Sequence, residues 1–214
     1  METLAQRYGK ALYPATHRVC GYRLRPFTLG HAFLFDRLLL HRLDSMLAGG
    51  TKLPSTGELR LAVAICQRTH AQAVRFVQST WGAWWLRWGM LRVNFLNVHK
   101  GVFQFVEYRK AHSDCPEAWS NPENKSKPIC SPPLQQVKLT LIGRMGYTEE
   151  QAMDTSLSRA LFDHFCFWEM EGKMNLVGDE ERSLTEDLKN EQSAIRKEMA
   201  EFTRTLKEKG SPNG

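Results

Sequence analysis

Apolar residues recur at helical spacing along most of this chain, and polar capping residues mark where several helices begin. Thr28 follows Pro26, and its hydroxyl can accept a hydrogen bond from the free amides of a first helical turn. Behind it lies a broad apolar face, formed by Leu29, Phe33, Leu34, Leu38 and Leu47. The pattern therefore predicts a helix that begins after Thr28 and ends at the glycines 49–50.

A second helix is predicted directly after a reciprocal capping sequence. Ser55 and Glu58 have the Ser-x-x-Glu spacing in which each side chain bonds the other residue's backbone amide. The apolar positions that follow are Leu59, Val63, Ile65 and Cys66. Because the connection between the two helices is short, they are expected to form an antiparallel hairpin.

Three further helices are predicted in the C-terminal third of the chain. Leu134, Val137 and Leu141 mark a short helix, and Thr148 with Gln151 opens a short helical turn. A longer helix then begins at a cap residue among 154–156 and ends at Gly172.

The last stretch carries about one apolar residue per turn among many charged residues. Its apolar positions are Leu184, Leu188, Ile195, Met199, Phe202 and Leu206. Their spacing is closer to 3.6 residues than to a strict heptad. It predicts one long surface or partner-binding helix.

The segment between these two groups of helices is harder to assign. Apolar residues alternate briefly over 102–108, which fits either a short strand or the end of a helix. Residues 112–133 then hold five prolines among Ser, Asn and Lys, which is typical of a linker.

The sequence therefore predicts a mainly α protein that has an N-terminal helical domain, a proline-rich linker and a C-terminal helical region ending in a long charged amphipathic helix. The predicted parts are the helical domain 1–111, the linker 112–133, a short helical region 134–177 and the tail helix 178–214.

Four of the six tryptophans lie on one face of a predicted helix, because they occupy positions i, i+3, i+4 and i+7: Trp81, Trp84, Trp85 and Trp88. The area that each ring buries favours a stripe facing the core. An exposed anchor for a partner protein is the alternative. Base stacking is disfavoured, because nucleic-acid stacking platforms normally lie on sheets with interleaved basic residues.

Charge is distributed unevenly along the chain. Residues 1–177 hold 22 Lys and Arg against 14 Asp and Glu, a balance of +8, whereas residues 178–214 hold 7 against 9, a balance of −2. A basic body can attract an acidic partner, but without a clustered Lys/Arg run an ordinary solvated surface is favoured.

The cysteines and the N-terminus indicate a reducing cytoplasm as the compartment. Five cysteines without a Cys-x-x-Cys pair argue against a disulfide framework and a zinc ribbon. Residues 1–8 lack the apolar stretch of a signal peptide, and charged residues interrupt the richest apolar window, 29–47. No membrane association is expected.

The search for reactive groups yields weak candidates, and the chain is predicted not to be an enzyme. Cys66 with His70, or His164 with Cys166, could share a metal, but neither pair has further ligands nearby. No nucleophile elbow, P-loop, dinucleotide fingerprint or zinc-protease motif occurs. No catalytic, cofactor or metal residue is therefore predicted.

An enzymatic alternative would need a polar pocket assembled from distant residues. Candidates of the right chemistry are His31, Asp36, His70 and Glu107. Their spacing does not itself indicate such a pocket.

Two parts of the chain carry a family resemblance that together covers about half of it. Residues 23–31, continued by Phe35, Leu38 and Leu39, lead into the first helix, and residues 57–66 form the second. Beyond the linker come 142–147, 149–157, Arg159, Ala160 and 169–172. The first set resembles the leading helical hairpin of tail assembly chaperones of tailed bacteriophages, and the second set is similar to their C-terminal helical part. The tryptophan segment, the linker and the charged tail have no counterpart.

The resemblance implies a largely helical, non-enzymatic factor that is encoded by a phage or prophage and acts in the host cytoplasm. Such a chaperone binds the apolar tape-measure protein, keeps it soluble until tail-tube proteins assemble and is absent from the mature virion. Candidate partner contacts are Leu29, Phe33, Leu34, Leu38 and the tryptophan stripe 81–88. Self-association is left open, and the alternative is a small basic nucleic-acid-associated or regulatory helical protein.

Overall fold

The computed structural model describes residues 2–38, 55–88, 98–120 and 131–209. The predicted mainly α character is confirmed. The helices are α1 (Leu4–Leu12), α2 (Leu29–Arg37), α3 (Thr56–Cys66), α4 (His70–Gln78), α5 (Thr80–Trp88), α6 (Val98–His112), α7 (Pro133–Gly143), α8 (Glu149–Asp154), α9 (Leu157–Met170) and α10 (Asp179–Lys209). None of the described helices combines the length and the apolar character needed to cross a bilayer.

The predicted helix starts are confirmed at three capping residues. Ser55 and Thr148 each accept from the amide three residues on, and the side chains of Glu58 and Gln151 return a bond to the cap amide. At Thr28 the returning group is an imidazole, because Nδ1 of His31 accepts from the Thr28 amide at 3.2 Å. The predicted end of the first helix at 49–50 lies outside the described residues.

Two short antiparallel ribbons accompany the helices. The first pairs β1 (His17–Val19) with β2 (Tyr22–Leu24). Cys20 and Gly21 form the tip of this hairpin, and both have positive φ, as a two-residue type I′ turn requires. The second ribbon pairs β3 (Ala118–Ser120) with β4 (Met174–Leu176). The helical periodicity gives no signal for either.

The ambiguous segment around 102–108 is helical and belongs to α6. Val102, Phe105 and Tyr108 are buried at helical spacing, while Phe103 is exposed. The Tyr108 hydroxyl donates to the carbonyl of Arg25 at 2.8 Å, which joins α6 to the segment leading into α2.

The helices on both sides of the proline-rich segment share one core. Helices α7, α8 and α9 pack against α2, and α9 also packs against α1. The backbones before α2 and α9 form a bridge, in which Leu29 donates to Thr155 at 3.0 Å and Leu157 donates to Phe27 at 2.8 Å. The compact units are Met1–Leu176 and Val177–Gly214. The helices that flank 112–133 therefore pack together although five prolines occur in that segment of the sequence.

Candidate functional site

The tryptophan helix α5 is held by a tight corner with α4. The Ser79 hydroxyl donates to the Phe76 carbonyl at 3.0 Å and accepts from the Gly82 amide at 2.9 Å. A serine at this position therefore satisfies backbone groups from both helices, which fixes where α5 begins.

Trp85 attaches α5 to the body of the protein. Its ring meets the ring of Phe76 edge to face at 5.7 Å. The guanidinium of Arg68 lies 4.0 Å from the Phe76 ring centre and 5.0 Å from that of Trp85. Burial lowers the pKa of Arg68. Sequence reasoning missed this cation, because nothing in local spacing indicates that residue 68 lies between residues 76 and 85.

The other three tryptophans of the stripe point outward. Trp81, Trp84 and Trp88 are 65%, 53% and 57% exposed. The rings of Trp81 and Trp84 stack at 4.9 Å with an angle of 18° between their planes. The core-facing interpretation therefore applies to Trp85 and is wrong for its three neighbours, whose rings are exposed although α5 packs against α3 and α4.

Exposed tryptophans grouped on one helix mark an interaction surface more often than isolated apolar residues do. We call Trp81, Trp84 and Trp88 the tryptophan surface. Two exposed arginines, Arg75 and Arg87, lie on the same pair of helices. Residues 59–106 contain six Lys and Arg and no Asp or Glu. The stretch of sequence that carries the tryptophan surface is therefore basic.

The other predicted contact face is turned inward. Leu29 and Leu34 are buried, and Phe33 and Leu38 are partly buried against the same core. Phe27 and Phe35 pack edge to face at 5.2 Å beside them. Packing thus accounts for these residues in the described structure, and the tryptophan surface is the better exposed of the two candidate faces.

His31 has a structural role, because its ring bonds backbone groups on both sides. Its Nδ1 accepts from the Thr28 amide, so its Nε2 carries the proton and donates to the Arg68 carbonyl at 2.9 Å. Burial lowers the pKa of His31 to about 4. Both ring nitrogens are committed to backbone groups, which leaves the imidazole no free atom for proton transfer.

Of the remaining members of the enzymatic alternative, His70 lies with its ring against Gly30, at the start of α2. Asp36 and Glu107 are exposed on α2 and α6. The amide of His70 donates to a carboxylate oxygen of Asp154 at 2.8 Å, which ties the start of α4 to α8.

The two candidate metal-binding pairs, Cys66 with His70 and His164 with Cys166, also include side chains whose surroundings are structural. Burial raises the pKa of the Cys66 thiol to about 12, which disfavours the thiolate that metals bind. Nδ1 of His164 lies 2.9 Å from the Thr140 hydroxyl. Among the described residues, no group of three His, Cys, Asp or Glu side chains is placed to hold a metal ion.

A cleft of about 620 Å³ lies beside the bridge between α2 and α9, and Arg25, Tyr147 and Arg159 are among its lining residues. Two of these polar side chains bond each other: Arg159 donates to the Tyr147 hydroxyl at 3.1 Å, and it also pairs with Asp163. These bonds connect α9 to the segment between α7 and α8, so a structural role accounts for Tyr147 and Arg159.

No family model, curated protein or solved structure matches this chain. Among the described residues, the tryptophan surface is the most distinctive candidate for a functional site.

Proposed function

We propose that this chain is a non-enzymatic assembly factor that binds the tape-measure protein of a tailed phage and assists assembly of the tail tube. The observation that carries the proposal is the stacked, exposed pair Trp81 and Trp84 on a helix held to the core by Trp85. The resemblance to tail assembly chaperones names the kind of client.

The spacing of the tryptophan surface fits recognition of a helix. Trp81, Trp84 and Trp88 lie at i, i+3 and i+7, and this is the spacing at which one helix face meets another. Because the rings are already exposed and stacked on a fixed helix, little side-chain entropy is lost when a client covers them. Truncating an anchor of this type costs about 2 kcal/mol or more, which is about thirtyfold in Kd.

Charge indicates which helices suit the surface. Arg75 and Arg87 are exposed on α4 and α5, and no acidic residue occurs between Glu58 and Glu107 in the sequence. A client helix with an apolar stripe flanked by Asp or Glu would complement this surface. The aromatic part of the interface should persist in high salt, whereas the charged rim should be screened.

Co-purification tests the proposal. The tagged full-length chain is expressed with the genes that neighbour its own, captured and washed at low and high salt, and the retained species are identified. We expect a long tape-measure-like protein to remain through the high-salt wash. Trp84→Ala should reduce its recovery at least about tenfold, given the energy of an anchoring tryptophan.

Trp119→Ala is the matched control, because Trp119 is also exposed but lies on β3. It should leave client recovery unchanged. Equal losses from Trp84→Ala and Trp119→Ala, or no retained tape-measure-like protein, would contradict the proposal.

A nucleic-acid-associated role is the second candidate, and the same surface supports it. Exposed tryptophans beside arginines can stack on unpaired bases, and such binding weakens steeply with salt. Recovery of nucleic acid alone, lost in the high-salt wash and in Trp84→Ala, would favour this role over the chaperone.

A further inference from the structure

Helix α10 carries a row of exposed apolar residues from Leu184 to Met199. It spans 31 residues, which is about 46 Å of helix. Leu184, Leu188 and Ile195 are 64%, 59% and 55% exposed, and Met199 continues the row. Single exposed apolar residues are common on proteins, but a row along a charged helix requires an explanation.

The row follows a repeat of eleven residues. Leu184 and Leu188 are followed eleven positions later by Ile195 and Met199, and the sequence has Leu206 eleven positions after Ile195. Eleven residues make three turns at 3.67 residues per turn, so the row runs almost straight along a helix. A straight apolar face of this length suits a second helix lying alongside it.

The charges of α10 are divided between its two halves. Residues 179–191 contain six acidic and two basic residues, a balance of −4, and residues 192–209 contain three acidic and five basic residues, a balance of +2. Two such helices side by side repel when parallel and attract when antiparallel, because only the second arrangement places acidic halves against basic halves.

We propose that α10 pairs with α10 of a second copy of this chain, antiparallel, about a two-fold axis at Ile195. This register sets two Ile195 residues at the same level and places Leu184 level with Leu206 and Leu188 level with Phe202 of the other copy. Apolar positions then stand level with apolar positions at five levels along the helix pair, as an isologous two-fold interface requires.

The same register sets the acidic half of each α10 beside the basic half of the other copy. In a parallel pair in register, each half would lie beside a half of the same charge. The apolar spacing and the distribution of charge, which are independent features of the sequence, therefore select one arrangement. This inference does not depend on what the tryptophan surface binds.

Sedimentation equilibrium of the full-length chain tests the pairing. A single chain has a mass of 24.6 kDa, and we expect a species of twice that mass at micromolar concentration. Ile195→Glu places two carboxylates against each other at the axis and should raise the Kd of the dimer at least about a hundredfold. Ala200→Glu adds the same charge on an exposed residue away from the row, and it should leave the dimer intact.

Oxidative cross-linking tests the orientation. At the axis, Ile195→Cys should form a disulfide-linked dimer, whereas Leu184→Cys should not, because antiparallel pairing places the two copies of residue 184 at opposite ends. The wild-type chain, which has five cysteines of its own, gives the background. A monomeric wild type, a dimer that survives Ile195→Glu, or equal cross-linking through residues 184 and 195 would overturn the proposal.

Discussion

Gly82 lies directly against the carbonyl oxygen of Phe76, so that a β-carbon at residue 82 would overlap this oxygen. No real side chain tolerates such an approach, and both groups belong to the backbone. The corner between α4 and α5 therefore requires glycine at this position. The placement of the tryptophan surface depends on this corner.

We expect Gly82→Ala to lower the free energy of unfolding by about 2–3 kcal/mol, because the two helices must move apart. Gly9→Ala is the matched control: Gly9 lies inside α1, and the space that a β-carbon would occupy there is open. It should raise stability by about 0.5–1 kcal/mol through helix propensity. Urea unfolding followed by circular dichroism measures both changes. A Gly82→Ala protein as stable as wild type would show that the corner can open without cost.

Trp85 and Trp84 are neighbours in sequence but should differ in their contribution to stability. Trp85→Ala removes the contacts with Phe76 and Arg68, and we expect it to cost about 2–3 kcal/mol. Trp84→Ala loses only the stacking with Trp81 and should cost less than about 1 kcal/mol. The midpoints of denaturant unfolding, compared at the same m value, measure the two losses of stability. Equal costs for the two variants would contradict the assignment of Trp84 to the surface.

Acid should destabilise this protein through its buried histidines. Burial lowers the pKa of both His31 and His112 to about 4, from an ordinary value near 6.5. The unfolded chain therefore takes up protons first as the pH falls. We expect full stability above about pH 7 and a progressive loss between about pH 6.5 and 4.

His31→Gln isolates one of these contributions. Glutamine can still accept from the Thr28 amide, as in an ordinary capping box, but it does not titrate. Between pH 6.5 and 4, the free energy of unfolding should depend less steeply on pH in the variant than in the wild type, by up to about 1.4 kcal/mol per pH unit. Unfolding free energies measured at several pH values give this slope, and an unchanged slope would show that His31 is not buried as a neutral group.

The end of the first compact unit can be tested by truncation. A chain that ends at Leu176 keeps β4 paired with β3 and should melt cooperatively. A chain that ends at Gly172 loses β4 and the bond from the Leu176 amide to Glu169, and it should be less stable by about 1–2 kcal/mol. Thermal melts of the two chains provide the test. Identical melting temperatures would show that β4 adds nothing to the body.

Local chemistry makes much of the helical structure predictable. Thr28, Ser55 and Thr148 each satisfy amides within one turn of themselves, so the starts of α2, α3 and α8 follow from short sequence patterns. Short-range spacing also places Leu29 and Leu34 on the apolar face of α2, where the structure has them buried. It does not decide their role, because periodicity shows that a face is apolar without showing what covers it.

The tertiary structure decided every question that depends on distant residues. Trp81 and Trp85 share one apolar pattern, yet only Trp85 meets Phe76 and Arg68, so packing separates the surface from the core. Likewise, the bridge between Thr28 and Ser156 joins regions on either side of the proline-rich segment. The sequence alone determined the mainly α class, the confirmed capping boxes and the charge pattern of α10, because these depend on residue type and short-range spacing. Only the tertiary structure determined which apolar faces are covered, since burial depends on residues that are far apart along the chain.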